Sequence, residues 1–465
     1  MSLGSFLVKV ENRNVRRGLY FSNIDGIVWA LMYGLAENFV VPFALLFGAT
    51  VLQVSLITGF GQLGIGVSQL AGARFVSWLG RRKILSIICN IIHAFSWVLV
   101  FFITVITGNP WVVVIFYSVG LTVNNFAVPG WLSWMNDLMP RKIRGEYWGI
   151  RNRYSGIAQF AAISVAGLLL YFAKKNNFEV TAFGFLMIAG FLFRFSSIFF
   201  LKRQYEPRMN ITEESHSFKF RIFLTKLFTT NFGRFVLFSI LITFSTNMVG
   251  PILPVYILKN IHMNYIQFTI VMMAQQIASF IFMTYWGPLS DKYGNYRVLI
   301  ISSLALPLIA FGWAFFRNFY ILVILQFFSG FVWAGVSLAT SNYIFDAVRK
   351  ENISKIMSYF NMLNMPCVFL GSAAGGVLAE LFLKNNISLT IFNAFQLVFI
   401  ISALLRIVII FTCRGSFKEV RETEKSPRFH YFYIYRPALE MIDFIQETSS
   451  RIFRRPYGGR NRRRD

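Results

Sequence analysis

The sequence predicts an all-α polytopic membrane protein: 12 transmembrane helices in two pseudo-symmetric six-helix bundles. Three observations carry this. The chain is 56% hydrophobic and 18% aromatic with only 14% charged residues, against roughly 25% charged in soluble domains. Twelve apolar stretches are long enough to cross a hydrocarbon core of ~30 Å. A loop that follows the second stretch recurs, altered, after the eighth.

The stretches, bounded by charge or turn residues, lie at 22–48, 53–79, 84–107, 111–138, 154–173, 181–201, 235–258, 266–288, 298–316, 319–347, 356–383 and 388–412. The first follows Arg16 and Arg17 and contains Asp25 and Glu37, which an uninterrupted signal-peptide core would not, so it counts as a span. The domains expected are a tail (1–20), an N-terminal bundle (21–201), a linker (202–234), a C-terminal bundle (235–412) and a basic tail (413–465). The linker carries a basic aromatic run, Phe218 to Leu224, suited to a helix on the membrane surface. The last segment holds an amphipathic run, Ala438 to Ile445, and a basic end after Gly458.

Orientation follows from the cations, because Lys and Arg are retained on the cytoplasmic side. With the amino terminus inside, 38 of the 45 lysines and arginines fall in inner segments. Lys174, Lys175, Lys259, Arg317 and Lys384 fall outside; Arg194 and Arg406 lie within spans. Both termini are therefore expected in the cytoplasm. The net charge of +25 is read as topology plus attraction of inner loops and tail to anionic lipid, with no nucleic-acid partner. Cys89, Cys367 and Cys413 show no paired spacing and carry no redox signal.

The recurring loop reads Ala73-Arg-Phe-Val-Ser77-Trp-Leu-Gly80-Arg81-Arg82-Lys83 and Gly287-Pro-Leu-Ser-Asp291-Lys292-Tyr-Gly294-Asn-Tyr-Arg297. A second pair of related segments ends the fourth and tenth spans: Asp137 with Pro140, Arg144 and Gly145, and Asp346 with Arg349 and Lys350. The common form of the first loop, G-x-L-x-D-[RK]-x-G-R-[RK], resembles the signature loop of the major facilitator superfamily, over residues of about 15–415. The second copy keeps Asp291, whereas Ser77 replaces the aspartate in the first. The resemblance implies two halves that rock against each other around a solute site near mid-membrane. It also implies a cytoplasmic gate, for which Asp137, Arg144, Asp291, Arg297, Asp346 and Arg349 are the candidates. Gly59, Gly61, Gly64 and Gly66 in the second span and Gly371, Gly375 and Gly376 in the eleventh would permit close approach of helices that face each other in the superfamily.

An ionisable residue at mid-membrane is costly and hence a functional candidate. Glu37 lies near the middle of the first span, suited to bind a cationic solute or to exchange a proton; Asp25 is a second proton stop or a gate residue. Cavity-facing helices offer Asn124, Asn125 and Trp131, Asn247, and Gln326 and Trp333 for hydrogen bonding and stacking, with Gln62, Gln159, Gln275, Gln276 and Asn364 on flanking spans. Arg194 and Arg406, each about eight residues from the inner end of a peripheral span, are expected to snorkel to the interface, and His93 to be structural. With no cation left at the cavity centre, an anionic solute is disfavoured.

These readings converge on a secondary transporter of the plasma membrane that moves a small neutral or cationic organic solute by alternating access, with proton-coupled efflux first. A sugar or metabolite uptake permease is the alternative, and a lipid translocator on the same fold is a different class that requires a lateral opening between the halves. No clustered nucleophile, metal-ligand or acid–base residues suggest an enzyme. No cofactor or metal is expected, and a monomer is.

Overall fold

The computed structural model describes residues 6–7, 10–140, 143–207, 220–349, 352–387 and 392–421. The expected amphipathic run at 438–445, the basic end, Glu213 and Glu214 of the linker and the first residues of the last expected span lie outside them. Among the described residues, twelve helices are long and apolar enough to cross a membrane. They are α1 (Arg13–Leu46), α2 (Val51–Leu79), α3 (Arg82–Thr107), α4 (Trp111–Leu138), α5 (Arg144–Lys175), α6 (Glu179–Arg203), α7 (Asn231–Asn260), α8 (Tyr265–Tyr293), α9 (Asn295–Phe315), α10 (Phe319–Ala347), α11 (Ile356–Lys384) and α12 (Ala394–Cys413). An even number of crossings puts Arg13 and Cys413 on one face, the terminal face. Helices α1 and α5 start nine and ten residues earlier than the apolar stretches predict, since a helix need not stop where the hydrocarbon does.

The halves repeat one packing scheme. Helices α2 and α4, α3 and α4, α3 and α6, and α1 and α5 pack together in the first, as α8 and α10, α9 and α10, α9 and α12, and α7 and α11 do in the second. Several starts are locally encoded. Thr50 with Gln53, Asn264 with Gln267, and Asn393 with Gln396 form capping boxes that open α2, α8 and α12.

Three helices are broken, which matters for the site. In α1, regular helix ends at Leu35 and a 3₁₀ turn, Glu37–Phe39, leads into Val40–Leu46. Asn38 Nδ2 donates to the Tyr33 carbonyl at 3.0 Å, and Pro42 has no N–H for the carbonyl of Asn38. In α4 the break falls between Phe126 and Val128, where Pro129 cannot serve the carbonyl of Asn125. In α7 it follows Asn247, where Pro251 and Pro254 turn the chain through 3₁₀ and π segments. Asn125 and Asn247 donate to carbonyls four residues back, at 2.9 and 2.8 Å.

Contact between the halves is concentrated away from the terminal face. A Cβ on Gly376 would strike Ser55 at 2.7 Å, and one on Gly59 or Gly66 would press on Phe369 or Met365. The other glycines of the stripe serve different neighbours: Gly61 and Gly64 abut α4, and Gly371 and Gly375 abut α7. Leu52 N, in the first turn of α2, donates to Glu380 Oε2 of α11 at 3.2 Å, a carboxylate at a helix N-terminus. Phe39 meets Phe268 and Phe183 meets Tyr265 across the same end. Toward the terminal face a fissure opens between α5 and α8, lined by Asn152, Arg153, Gly156, Gln276, Phe280 and Ile281 among others.

Candidate functional site

A cavity of about 530 Å³ is lined entirely by the first six helices, within the size range of small-molecule sites. Of the residues nominated from sequence, Asp25, Glu37, Asn124, Asn125 and Trp131 line it together, as does Gln62. Asn247, Gln326 and Trp333 do not. The Asn247 amide caps its own helix, and Gln326 is buried, donating to Gln275 Oε1 at 3.4 Å.

Glu37 sits at the break in α1. Tyr117 Oη donates to its Oε1 at 3.4 Å, a long bond that leaves the carboxylate open to another partner. Glu37 lies about 14 Å from the far end of α1 at 1.5 Å per residue. Asp25 lies about 18 Å from it along the same axis, toward the terminal face, where it accepts from Ser197 Oγ.

Arg194 corrects the expected picture. It is 6% exposed and points inward: Nε donates to His93 Nδ1 at 3.1 Å, and Nη2 bonds Asn90 Oδ1 and Asn124 Oδ1. Asn90 Nδ2 reaches Ser197 Oγ at 3.3 Å, so one hydrogen-bonded network joins Asp25 to Arg194, and both carboxylates are within electrostatic reach of the guanidinium. Three acceptors, the buried His93 and Asn90 and the half-buried Asn124, satisfy a buried cation better than a stretched path to the interface, so it does not snorkel. His93, through its acceptor nitrogen, orients Arg194. A second guanidinium, Arg151, lies 4.9 Å over Trp131 and 5.6 Å over Trp148, and Arg151 Nε donates to the Ser22 carbonyl at 3.3 Å. Gly26 makes room for it, since a Cβ there would lie 2.8 Å from the guanidinium carbon. The cavity thus holds two carboxylates, two guanidiniums and a wall of aromatic rings that includes Trp29 and Tyr33; the absence of a central cation, on which the solute's charge was argued, does not hold.

The counterpart of Arg194, Arg406, also stays inside, 4% exposed, but it meets no carboxylate among the described residues. Its Nη1 donates to the Leu306 carbonyl at 2.8 Å and its Nε has no partner. It too departs from the expected snorkelling.

The gate candidates pair within single halves. Arg82, fully buried, donates to Asp137 Oδ2 at 2.5 Å, to Ser133 Oγ and to the Pro207 carbonyl at 3.0 Å. Glu206 Oε1 accepts from the N–H of Arg82 and of Lys83. In the second half Asn295, one residue earlier in the repeat than the counterpart of Arg82, donates to Asp346 Oδ2 at 2.6 Å, Glu419 Oε2 accepts from Tyr296 N at 2.7 Å, and Arg421 pairs with both Asp291 and Asp346 at 3.0 and 3.2 Å. The partners expected from spacing are not these: Arg144 donates to the Asn136 carbonyl, Arg349 is exposed, and Arg297 is half-buried. Glu206 and Glu419 lie after the last helix of each half, too far along the chain for loop spacing to reveal.

Residues 235–430 match the sequence model of the Major Facilitator Superfamily. A stretch of 142 residues is 28% identical to the multi-drug resistance efflux pump PmrA of Streptococcus pneumoniae, covering 30% of this chain and 35% of that protein, about a third of its length. Among solved structures, the chain is similar to the nucleoside transporter NupG (TM-score 0.63, 17% identity, 88% of this chain and 100% of that one). It is similar to a bacterial homologue of the human lysosomal transporter Spinster in an inward-facing, occupied conformation (0.62, 12%, 89% and 100%). It is also similar to an auto-inhibited POT family peptide transporter (0.67, 10%, 89% and 99%).

Proposed function

Starting from a chain that is a major facilitator superfamily transporter, by the fold of both halves and the sequence of the second, we propose that it moves a small neutral or cationic organic solute through the cavity of its N-terminal half in exchange for protons. The observation that carries this reading is Glu37: a carboxylate at a helix break, facing the cavity, with one long hydrogen bond from Tyr117. A cationic solute and a proton then compete for one group, which is the chemical requirement for exchange. The groups that bear on it are Tyr33 on α1, Tyr117 on α4 and Arg194 on α6, with Asp25 and Arg151 in the same cavity. Efflux is the preferred direction, supported by the named activity of the streptococcal relative.

The charge balance of the cavity favours a second reading. Two carboxylates set against Arg151 and Arg194 suit a neutral polar solute held by Asn124, Asn125, Gln62 and the aromatic wall, as in metabolite uptake. The cation bias supports a cytoplasmic terminal face, and we place the protein in the plasma membrane. Asp137, Arg144, Asp291, Arg297, Asp346 and Arg349 would then act on the cytoplasmic side, Asp137, Asp291 and Asp346 by stiffening each bundle so that it rocks as a body.

The test is solute-stimulated proton movement in liposomes holding the purified protein, screened with cations, nucleosides, sugars and amino acids. Glu37→Gln is expected to abolish proton flux while leaving the fold intact. Solute movement with unchanged rate and pH dependence in that variant would sink the proposal.

A further inference from the structure

We propose that the fissure between α5 and α8 is a seat for one anionic phospholipid, whose headgroup meets Arg153 and whose acyl chain lies along both halves. Two adjoining cavities, of about 500 and 410 Å³, share Phe160, Met273 and Ile277 and so form one groove. From Asn152 to Leu168 it runs about 24 Å along α5, more than the ~15 Å of one leaflet's hydrocarbon. The groove is polar at one end and apolar at the other. Asn152 and Arg153 stand toward the terminal face; Leu168, Ile270 and Phe327 close the deep end.

Three features select the occupant. Ile157, Phe160, Leu168, Ile270, Ile277 and Phe280 are exposed large hydrophobics, which in this setting face hydrocarbon. Arg153 is exposed, has no ion-pair partner among the described residues, and lies about 14 Å up a helix of about 48 Å, within one turn of where a centred core of ~30 Å begins. From there its side chain is long enough to reach outward to phosphate depth in a leaflet bordered by the cation-rich face, where anionic headgroups collect. Between the two ends, Gln159 Nε2 donates to Gln276 Oε1 at 3.1 Å across the groove, leaving Gln276 Nε2 as a donor about 9 Å deeper along the groove than Arg153. The lipid touches one helix of each half at the place where they separate, and so favours the terminal-face-open arrangement.

The experiment is native mass spectrometry of the full chain, delipidated and titrated with phosphatidylglycerol or phosphatidylcholine. Gly156 provides a fold-neutral block, because a Cβ there meets nothing within 4 Å. The expected result is one retained phosphatidylglycerol, preferred over phosphatidylcholine by about fivefold, the factor corresponding to ~1 kcal/mol per cation near the membrane surface. Arg153→Gln should remove the preference, and Gly156→Leu should remove retention of both lipids. Equal retention of the two lipids by the unaltered protein, or retention unchanged in Gly156→Leu, overturns the seat. Because the readout is binding, it stands or falls apart from proton coupling at Glu37.

Discussion

The two halves share one scaffold and differ in what they put inside it. At matching places in α6 and α12 each buries an arginine, but Arg194 is held by His93, Asn90 and Asn124 between two carboxylates, whereas Arg406 has one backbone carbonyl and an unpartnered Nε. The same residue is part of a polar site in one half and of a packed interior in the other. The fold tolerates a buried charge in either place, but only the first half surrounds it with groups that can exchange it.

The largest test of that asymmetry removes each arginine. Arg194→Met should cost ~3–5 kcal/mol and abolish transport, because it strands buried acceptors and two carboxylates. Arg406→Met should be neutral or stabilising, since a poorly paired buried ion often loses to an apolar side chain of similar volume. Thermal unfolding of the two variants in detergent decides it, and equal losses would break the comparison.

A second test uses the duplicated loop. Arg82→Met removes charged hydrogen bonds made by a fully buried guanidinium to a partly exposed carboxylate and should cost ~2–3 kcal/mol. Arg421→Ala breaks pairs with Asp291 and Asp346 in which the side chains are 44%, 73% and 16% exposed, and exposed pairs contribute less than ~1 kcal/mol. The same unfolding assay should rank them in that order.

A third sharpens the contrast between the two faces. Glu380→Gln weakens the carboxylate contact with the start of α2 by ~1 kcal/mol. It should raise cysteine labelling of the far end of α2 several-fold, and unchanged labelling would remove Glu380 from closure of that face.

The smallest expected effect is in the amides. Asn124→Ala should impair transport by freeing Arg194, whereas Asn247→Ala, which loses only a bond to its own helix, should leave the rate within about twofold, a change of under ~0.5 kcal/mol.

Much of this architecture was legible in the sequence. Hydropathy alone gave twelve spans, and Gly80 and Gly294, both at positive φ, marked the duplicated loop. Glu37 and Asp25 were visible because a charge in an apolar stretch needs a reason. What stayed hidden depends on direction and distance along the chain. Arg194 looked like an interface residue because sequence gives the depth of a residue, not which way its helix faces. The spacing of Ser86, Asn90 and His93 on α3 was the available sign, a polar stripe on one helical face. Glu206 and Glu419 were hidden for the second reason, each lying beyond the helix that follows its loop by a hundred residues or more. Asn247 falls outside the cavity and donates to its own helix, and an amide looks the same in a sequence whether it meets a solute or its own backbone.

The separation of Asp25 and Glu37 along α1 has an electrical consequence. A proton passing between two carboxylates about 18 Å apart in a core of ~30 Å crosses more than half of the membrane voltage, roughly 1.4 kcal/mol per 100 mV. Turnover that uses both carboxylates should therefore register as current, and a polarised membrane would drive the cycle even where the pH is equal on its two sides.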